Sequence, residues 1–203
     1  MRPLPRGLYA IADAGFGDPV TLGRALADAG ARVIQLRCKG WPEAEVADAA
    51  RALLPALRRQ GAALIINDHL DVAVAGGADG VHLGQEDGPT ALARARLPPG
   101  ALLGRSTRTL EQVAEAQDAD YLGFGPIYAT NTRPGLPPPR GVDLLAAAVR
   151  ASARPLVAIG GISPENLPAV RATGVHAWAV IRALLEAPDL AAMLRDLSVL
   201  DQG

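Results

Sequence analysis

The sequence predicts an α/β fold, a single (β/α)8 (TIM) barrel formed by residues 1–203. Short apolar runs alternate with stretches rich in Ala, Leu, Arg and Glu, and this alternation is typical of βα units. The sequence contains eight such runs, and eight parallel strands close into a barrel that has no exposed edge. The hydrophobic fraction of 49% over 203 residues is enough for one sizeable core.

The predicted strands follow one another along the whole chain. They begin near Leu8, Arg32, Ala63, Gly80, Leu102, Tyr121, Leu156 and Val175. Helices are predicted over 19–29, 42–60, 110–117, 142–151, 164–172 and 189–197, with a short helix between the third and fourth strands. Because barrels of this class usually have about 250 residues, an open doubly wound sheet is the alternative.

The charge balance gives no reason to expect a nucleic acid or an anionic membrane as partner, since 20 basic residues face 21 acidic ones. No apolar run reaches the roughly 18 residues of a membrane span, and the first residues do not resemble a signal peptide. The single cysteine, Cys38, cannot form an internal disulfide. We therefore expect a cytoplasmic protein that acts on small molecules, and the sequence leaves a homo-oligomer open.

Two aspartates follow neighbouring predicted strands. Asp68 comes just after the apolar run 63–66, and Asp87 follows the run 80–83. Parallel strands of a barrel end at the same rim, so the two carboxylates should converge. Mg²⁺ typically takes one or two carboxylates and leaves its other positions to water and substrate phosphate. The pair therefore predicts a Mg²⁺ site, although each aspartate alone could instead cap a helix.

Gln35, Arg37 and Lys39 alternate along the second predicted strand and the residues after it, so their side chains should lie on one side. Lys39 is the only lysine of the chain. A compact ammonium group beside an active-site rim favours contact with an anion, whereas the ordinary alternative is a solvated loop lysine.

The later strand ends also carry polar groups. Ser106 follows the fifth strand and could donate to an anion or cap a helix. The sixth strand leads into a proline-rich loop of about fifteen residues that contains Thr130, Thr132 and Arg133, and loops of this length in compact domains are commonly lids or binding segments. The loops after strands seven and eight form the recurrent phosphate site of such barrels, and here they contain Gly160-Gly161 and Ile181-Arg182.

The sequence does not predict a functional role for its histidines. His82 lies inside the apolar run VHL and is expected to be an interior residue with satisfied hydrogen bonds, and the sequence has no histidine cluster of the kind that binds zinc.

Taken together, these motifs resemble the thiamine phosphate synthase family. QLRCK, IINDH, ADGVHLGQED, GRST, DYLGFGPIYATNTR, VAIGGI and AVIRAL occur in order along nearly the whole chain. The resemblance implies a Mg²⁺-dependent transferase that condenses 4-amino-2-methyl-5-hydroxymethylpyrimidine diphosphate with thiazole phosphate and releases diphosphate. It also implies a dissociative displacement at the pyrimidine methylene, for which the protein supplies positioning and charge stabilisation and no nucleophile.

The resemblance also assigns roles to individual residues. It implies that the pyrimidine diphosphate is held by Gln35, Arg37, Lys39 and Asn67, and the metal by Asp68 and Asp87. It implies that the diphosphate contacts Ser106 and Arg133, and that the thiazole phosphate lies near Thr130, Thr132, Gly161, Ile181 and Arg182. Lys39, Ser106 and Arg133 are the residues predicted to act in catalysis.

The sequence departs from the family pattern at four positions. The family commonly has lysine at position 133, glutamate at 38, histidine at 108 and serine at 182, where this chain has Arg133, Cys38, Arg108 and Arg182. Arg133 keeps the positive charge. Cys38 should point away from the ligand because it alternates with Arg37 and Lys39. Arg182 is the largest change, since a cation replaces a hydroxyl group.

Three other functions are weighed against this one. The first is a thiazole tautomerase, an isomerase of the same family, which both aspartates and the absence of a histidine at position 108 disfavour. The second is a Schiff-base aldolase, which would need Lys39 to be buried. The third is a non-catalytic thiazole-phosphate-binding protein, suggested by the departures at positions 133 and 182.

Overall fold

The computed structural model describes residues 3–130 and 138–198, which form a closed barrel of eight parallel strands in sequence order. The strands are Gly7–Asp13 (β1), Val33–Arg37 (β2), Ala63–Asn67 (β3), Gly80–Leu83 (β4), Leu102–Thr107 (β5), Tyr121–Phe124 (β6), Leu156–Ile159 (β7) and Ala177–Val180 (β8). The first strand pairs with the last, with Leu8 opposite Trp178, so the sheet has no free edge. The predicted barrel is confirmed, and the open-sheet alternative is wrong because this closing pair exists.

Helices follow the strands around the outside of the barrel. They are Pro19–Asp28 (α1), Glu43–Gln60 (α2), Leu70–Gly76 (α3), Thr90–Arg96 (α4), Leu110–Glu115 (α5), Gly141–Ala151 (α6), Leu167–Arg171 (α7), Arg182–Leu185 (α8) and Leu190–Ser198 (α9), with a 3-10 turn at Ala14–Phe16. Asp18 starts α1 by accepting a hydrogen bond from the Thr21 N–H at 2.8 Å, and Pro19 occupies the first turn. Within the described residues, no helix combines the length and apolar character needed to cross a membrane.

The helix predicted over 164–172 begins later than expected, at Leu167. Ser163-Pro164 has the composition of a helix start but opens a turn. Asn166 holds that turn, because its side chain accepts from the Ser163 N–H at 3.0 Å and donates to the Gly161 carbonyl at 2.8 Å. The loop after β7 is therefore longer than predicted and stays at the rim of the barrel.

Two apolar layers hold the barrel together. Alternate residues of β2 show the division, since Ile34 and Leu36 pack outwards against the helices while Val33 packs inside the barrel. The interior layer also contains Leu4, Tyr9, Ile11, Ile65, Leu102, Tyr121, Val157, Ala177 and Ala179. Each buried aliphatic side chain of this kind stabilises the fold by about 1.5–3 kcal/mol.

The interior apolar layer fills only part of the barrel. Beside it lies a cavity of about 380 Å³ lined largely by residues at the carboxyl ends of the strands. Cys38 does not line this cavity but is buried in the outer apolar layer, as the strand alternation predicts. The fold therefore places this cavity at the end of the barrel where loops carry chemistry.

Candidate active site

The cavity brings together most of the predicted binding residues. Its lining includes Gln35, Arg37, Asn67, Ser106, Thr130, Gly161, Ile181 and Arg182, together with His82 and Arg108. These residues come from seven different strands or the loops that follow them. Thr132 and Arg133 lie outside the described residues, so their predicted roles stay predictions.

Lys39, Asp68 and Asp87 form a charged cluster next to the cavity. The Lys39 ammonium lies 2.8 Å from Asp68 Oδ2, and the side chains of Asp68 and Asp87 are close enough to share a hydrogen bond. The two predicted metal ligands are therefore neighbours, as the strand positions predict. Asp68 adjoins Asn67, the last residue of β3, which lines the cavity.

Neither aspartate caps a helix with its side chain. The position that caps α3 is His69, and the one that caps α4 is Pro89. Asp68 has a left-handed backbone, with φ of 65°, which aspartate tolerates better than most residues. Asp87 accepts instead from the Gly84 N–H, at 2.6 Å. The capping alternative is therefore wrong for both residues.

The loop that carries Asp87 is tied to the next strand. Arg105 of β5 donates to the carbonyl oxygens of Gly88 at 2.8 Å and Gln85 at 3.2 Å. Gln85 in turn donates to the backbone carbonyl of Ser106. Asp87 and Ser106 are thereby held in a fixed relation, although neither the arginine nor the glutamine was predicted as a site residue.

The two carboxyl groups have opposite pKa shifts. Burial opposes ionisation of Asp68, but the hydrogen bond and charge of Lys39 outweigh it and hold the pKa of Asp68 below its usual value. Burial raises the pKa of Asp87 and so does the negative charge of Asp68, despite the Gly84 N–H bond. A second positive charge at this cluster would relieve the repulsion between the aspartates.

This donor set fits Mg²⁺. Within residues 3–130 and 138–198, no group of three or more His, Cys, Asp and Glu side chains is arranged to hold a metal ion. Two carboxylates beside an open cavity leave the remaining coordination positions to water and to ligand phosphate, which is the arrangement Mg²⁺ usually has.

Arg37 is held by a residue that sequence reasoning missed. Its guanidinium forms an ion pair with Asp13, whose side chain is only 5% exposed. Asp13 Oδ1 also accepts from the Gly15 N–H at 2.9 Å. The sequence did contain a signal for Asp13. Side chains alternate between the two faces of β1, so Tyr9, Ile11 and Asp13 share the face that points into the barrel.

A hydrogen-bonded network of uncharged side chains crosses the inside of the barrel beneath this rim. Tyr9, Gln35, His82, Ser106 and Tyr121 are its members. His82 is the satisfied interior residue that the sequence predicts, because both of its ring nitrogens have partners. Burial lowers the pKa of His82 to about 4; Asp68 opposes this effect and Arg105 adds to it. Tyr9 and Tyr121 were not foreseen.

The glycine pair after β7 is needed for close packing against the loop after β6. A Cβ on Gly160 would lie 2.5 Å from Pro126 Cβ, and one on Gly161 would lie 2.6 Å from the Ala129 carbonyl oxygen. Gly161 also has a φ of +66°, which glycine adopts readily. The pair therefore brings the two loops together at the cavity wall, which the sequence prediction did not include.

Arg182 lines the cavity but already has two partners. It donates to Glu186 Oε1 at 2.9 Å, one helical turn later, and its guanidinium lies 5.5 Å from the centre of the Phe16 ring. Its charge is thus present where the predicted phosphate would lie, and the side chain is 44% exposed.

The aldolase alternative requires a buried lysine. The Lys39 side chain is 59% exposed and forms an ion pair with Asp68. Schiff-base lysines are activated in desolvated pockets, and this exposed side chain does not lie in one, so the structure does not support this alternative.

Comparisons with known proteins identify the family of this chain and agree with its fold. Residues 8–184 match the family described as thiamine monophosphate synthase (TMP-TENI). The thiamine-phosphate synthase of Laribacter hongkongensis is 46% identical over 172 residues, covering 84% of this chain and 82% of that protein. That of Anaeromyxobacter dehalogenans is 46% identical over 185 residues, covering 90% and 82%. The solved thiamine phosphate pyrophosphorylase from Pyrococcus furiosus gives a TM-score of 0.85 at 36% identity, covering 94% of this chain and 93% of that one.

Proposed function

Because this chain belongs to the thiamine monophosphate synthase family, we propose that it is a transferase that makes thiamine phosphate. Its substrates are 4-amino-2-methyl-5-hydroxymethylpyrimidine diphosphate and thiazole phosphate. The bond between the pyrimidine methylene carbon and the diphosphate oxygen breaks, a bond from that carbon to the thiazole nitrogen forms, and diphosphate leaves with the electron pair.

One observation supports this proposal most strongly. A cluster of two carboxylates and an ammonium group adjoins a cavity of about 380 Å³, a size suited to small-molecule ligands. A diphosphate is a good leaving group when its growing negative charge is neutralised. The cluster and the cavity together offer both the charges and the space.

Asp68 and Asp87 would hold Mg²⁺ in this proposal. When bound, the ion supplies positive charge to the departing diphosphate and orients it. Lys39 and Arg37 add fixed positive charges on the same side of the cavity, and Ser106 adds a hydroxyl donor. Arg133 is proposed to join them from the loop after β6, on the basis of the sequence alone.

The pyrimidine and thiazole parts occupy different walls of the cavity in this proposal. Gln35 and Asn67, on β2 and β3, hold the pyrimidine. The thiazole phosphate lies opposite, near Gly161, Ile181 and Arg182, with Thr130 and Thr132 on the adjoining loop. The protein supplies no nucleophile, because the thiazole nitrogen itself attacks. Its contribution is to hold the two reactants in line and to exclude competing water.

The decisive experiment mixes the purified protein with both substrates and Mg²⁺ and measures thiamine phosphate and diphosphate by chromatography. We expect both products in equal amounts, loss of turnover with EDTA, and recovery when excess Mg²⁺ is added. Reactions that lack one substrate are the controls.

The same assay separates the alternatives. Binding of thiazole phosphate without turnover would support a non-catalytic binding protein, and isomerisation of a thiazole substrate without Mg²⁺ would support a tautomerase. Either result would overturn the synthase proposal.

A further inference from the structure

A continuous row of hydrogen bonds crosses the inside of the barrel from β2 to β5. Gln35 Nε2 donates to Tyr9 Oη at 3.0 Å, and Tyr9 Oη lies 2.9 Å from Tyr121 Oη. Tyr121 Oη lies 3.2 Å from His82 Nδ1, and His82 Nε2 lies 2.9 Å from Ser106 Oγ. We call these five residues the interior chain. Only Gln35 and Ser106 have a role in the proposed binding of substrate.

The hydrogen bonds of the interior chain have one direction that leaves the Ser106 hydroxyl proton free for a ligand, and that direction runs from Gln35 to Ser106. In this direction Gln35 donates to Tyr9, and Tyr9 donates to Tyr121. Each tyrosine hydroxyl carries one proton, so Tyr121 then donates to His82 Nδ1. In the same direction the neutral imidazole accepts at Nδ1 and carries its single proton on Nε2. That proton is donated to Ser106 Oγ.

We propose that Tyr121 and His82 are positioning residues, which turn the hydroxyl proton of Ser106 towards the leaving diphosphate. This inference rests on the proposed function, because the direction of these hydrogen bonds affects binding only when the ligand beside Ser106 is an anion. With the reverse direction, Ser106 would donate to His82 and would present only oxygen lone pairs to the diphosphate. Phosphate oxygens only accept hydrogen bonds at neutral pH, so the orientation decides whether Ser106 attracts or repels them.

The barrel makes room for this chain by leaving out two side chains. A Cβ on Gly104 would lie 2.2 Å from Tyr121 Cζ and 2.4 Å from His82 Nδ1, and one on Gly123 would lie 3.1 Å from His82 Cε1. Glycine inside a strand is destabilising by roughly 0.5–1 kcal/mol relative to alanine. Glycine at position 104 therefore leaves the space that the side chains of Tyr121 and His82 occupy together.

The tautomer of His82 gives a readout that does not depend on activity. We would label the protein with ¹⁵N-histidine, assign the His82 signals with His82→Asn, and read which ring nitrogen carries the proton. The inference requires the Nε2–H tautomer in the wild type and a mixture of both tautomers in Tyr121→Phe. Tyr128→Phe, a tyrosine outside the interior chain, should leave the wild-type pattern. An Nδ1–H tautomer in the wild type would overturn the inference.

A second measurement tests whether the chain acts through Ser106. Calorimetry with inorganic diphosphate and Mg²⁺ should show about tenfold weaker binding in Tyr121→Phe than in the wild type, the size of one charge-assisted hydrogen bond. In a Ser106→Ala background the same tyrosine change should alter binding by less than about twofold. Equal effects in both backgrounds would overturn the inference.

Two further comparisons keep the outcomes separate. If Tyr121→Phe does not fold, Tyr9→Phe removes the group that orients the Tyr121 proton, and it should shift the tautomers in the same direction by a smaller amount. An unchanged tautomer pattern in that variant would contradict the inference. If the wild type makes no thiamine phosphate but shows the expected tautomer and coupling, the proposed reaction fails while the positioning of Ser106 for an anion stands.

Discussion

The polar groups of the interior chain and those of the charged rim above it find their partners in different ways. The interior chain links uncharged groups of Gln35, Tyr9, Tyr121, His82 and Ser106, each satisfied by its neighbour inside the barrel. The rim links charged groups, such as Lys39 with Asp68, whose side chains are 59% and 21% exposed.

The difference follows from access to water. A buried charge without a partner is costly, so the deep part of the barrel uses neutral groups that fix one another's protons. Partly exposed charges lose less on changing partners, so the proposed binding of an ion or a phosphate at the rim can replace an internal ion pair such as that of Lys39 with Asp68. We therefore expect the interior chain to set the orientation of the Ser106 hydroxyl group, while the rim supplies the charges that interact with an ion or a phosphate.

The largest expected effect comes from removing charge at the rim. Asp68→Asn and Asp87→Asn should each lower Mg²⁺-dependent turnover on the order of 10³-fold, because the charge stabilisation of the leaving diphosphate is lost. Asparagine tolerates the left-handed backbone of position 68 and can still accept from Gly84 N–H at position 87. Steady-state assays across Mg²⁺ concentrations, with urea unfolding as the control for stability, test this. Near wild-type turnover in either variant would refute the metal assignment.

The next effect lies where the two regions meet, at the pair of Arg37 and Asp13. Arg37→Met should destabilise the fold by about 3 kcal/mol, since it leaves the buried Asp13 carboxylate without its ion-pair partner. Urea denaturation measures the change. The double variant Arg37→Met/Asp13→Asn should recover part of the loss, and a double variant less stable than the single one would contradict this account.

A smaller effect is expected from crowding the interior chain. Gly104→Ala should destabilise the protein by about 2 kcal/mol, because the added methyl group collides with Tyr121 and His82. Gly76→Ala is the matched control, since an added Cβ there meets nothing within 4 Å at the end of α3. The control should be stabilised by about 0.5 kcal/mol, so destabilisation of similar size in both variants would argue against a steric cause.

The smallest effect concerns Arg182 at the rim. Glu186→Gln should release the arginine from its ion pair and lower the KM for thiazole phosphate by about twofold, with a stability change below about 0.5 kcal/mol. Steady-state kinetics with the pyrimidine substrate at saturation test this. A higher KM would mean that Glu186 holds Arg182 in its useful position.

The sequence was sufficient for the fold because each strand has its own local signal. Runs such as 63–66 and 80–83 show strand character by themselves, and the barrel then places Asp68 and Asp87 at one rim. Helix α7 shows the limit of local signals, since Ser163-Pro164 has the composition of a cap while Asn166 holds the turn that delays the helix.

The interior chain could not be predicted in the same way. Tyr9 and Tyr121 are 112 residues apart in sequence, and their hydrogen bond exists only after the barrel has closed. The ion pair of Arg37 with Asp13 is likewise tertiary, although each residue lies at a strand end. By contrast, the i,i+4 spacing of Arg182 and Glu186 on a helix is a local pattern, and the pair could have been recognised from it.

The position of Leu4 bears on the route by which ligands reach the cavity. This residue is 4% exposed and packs into the interior apolar layer, and His176 Nε2 lies 2.9 Å from its carbonyl oxygen. In the part of the chain that the structure describes, the segment before β1 thus fills the apolar interior at the end of the barrel opposite the rim. Substrates and products would then enter and leave the cavity from the rim, at the carboxyl ends of the strands.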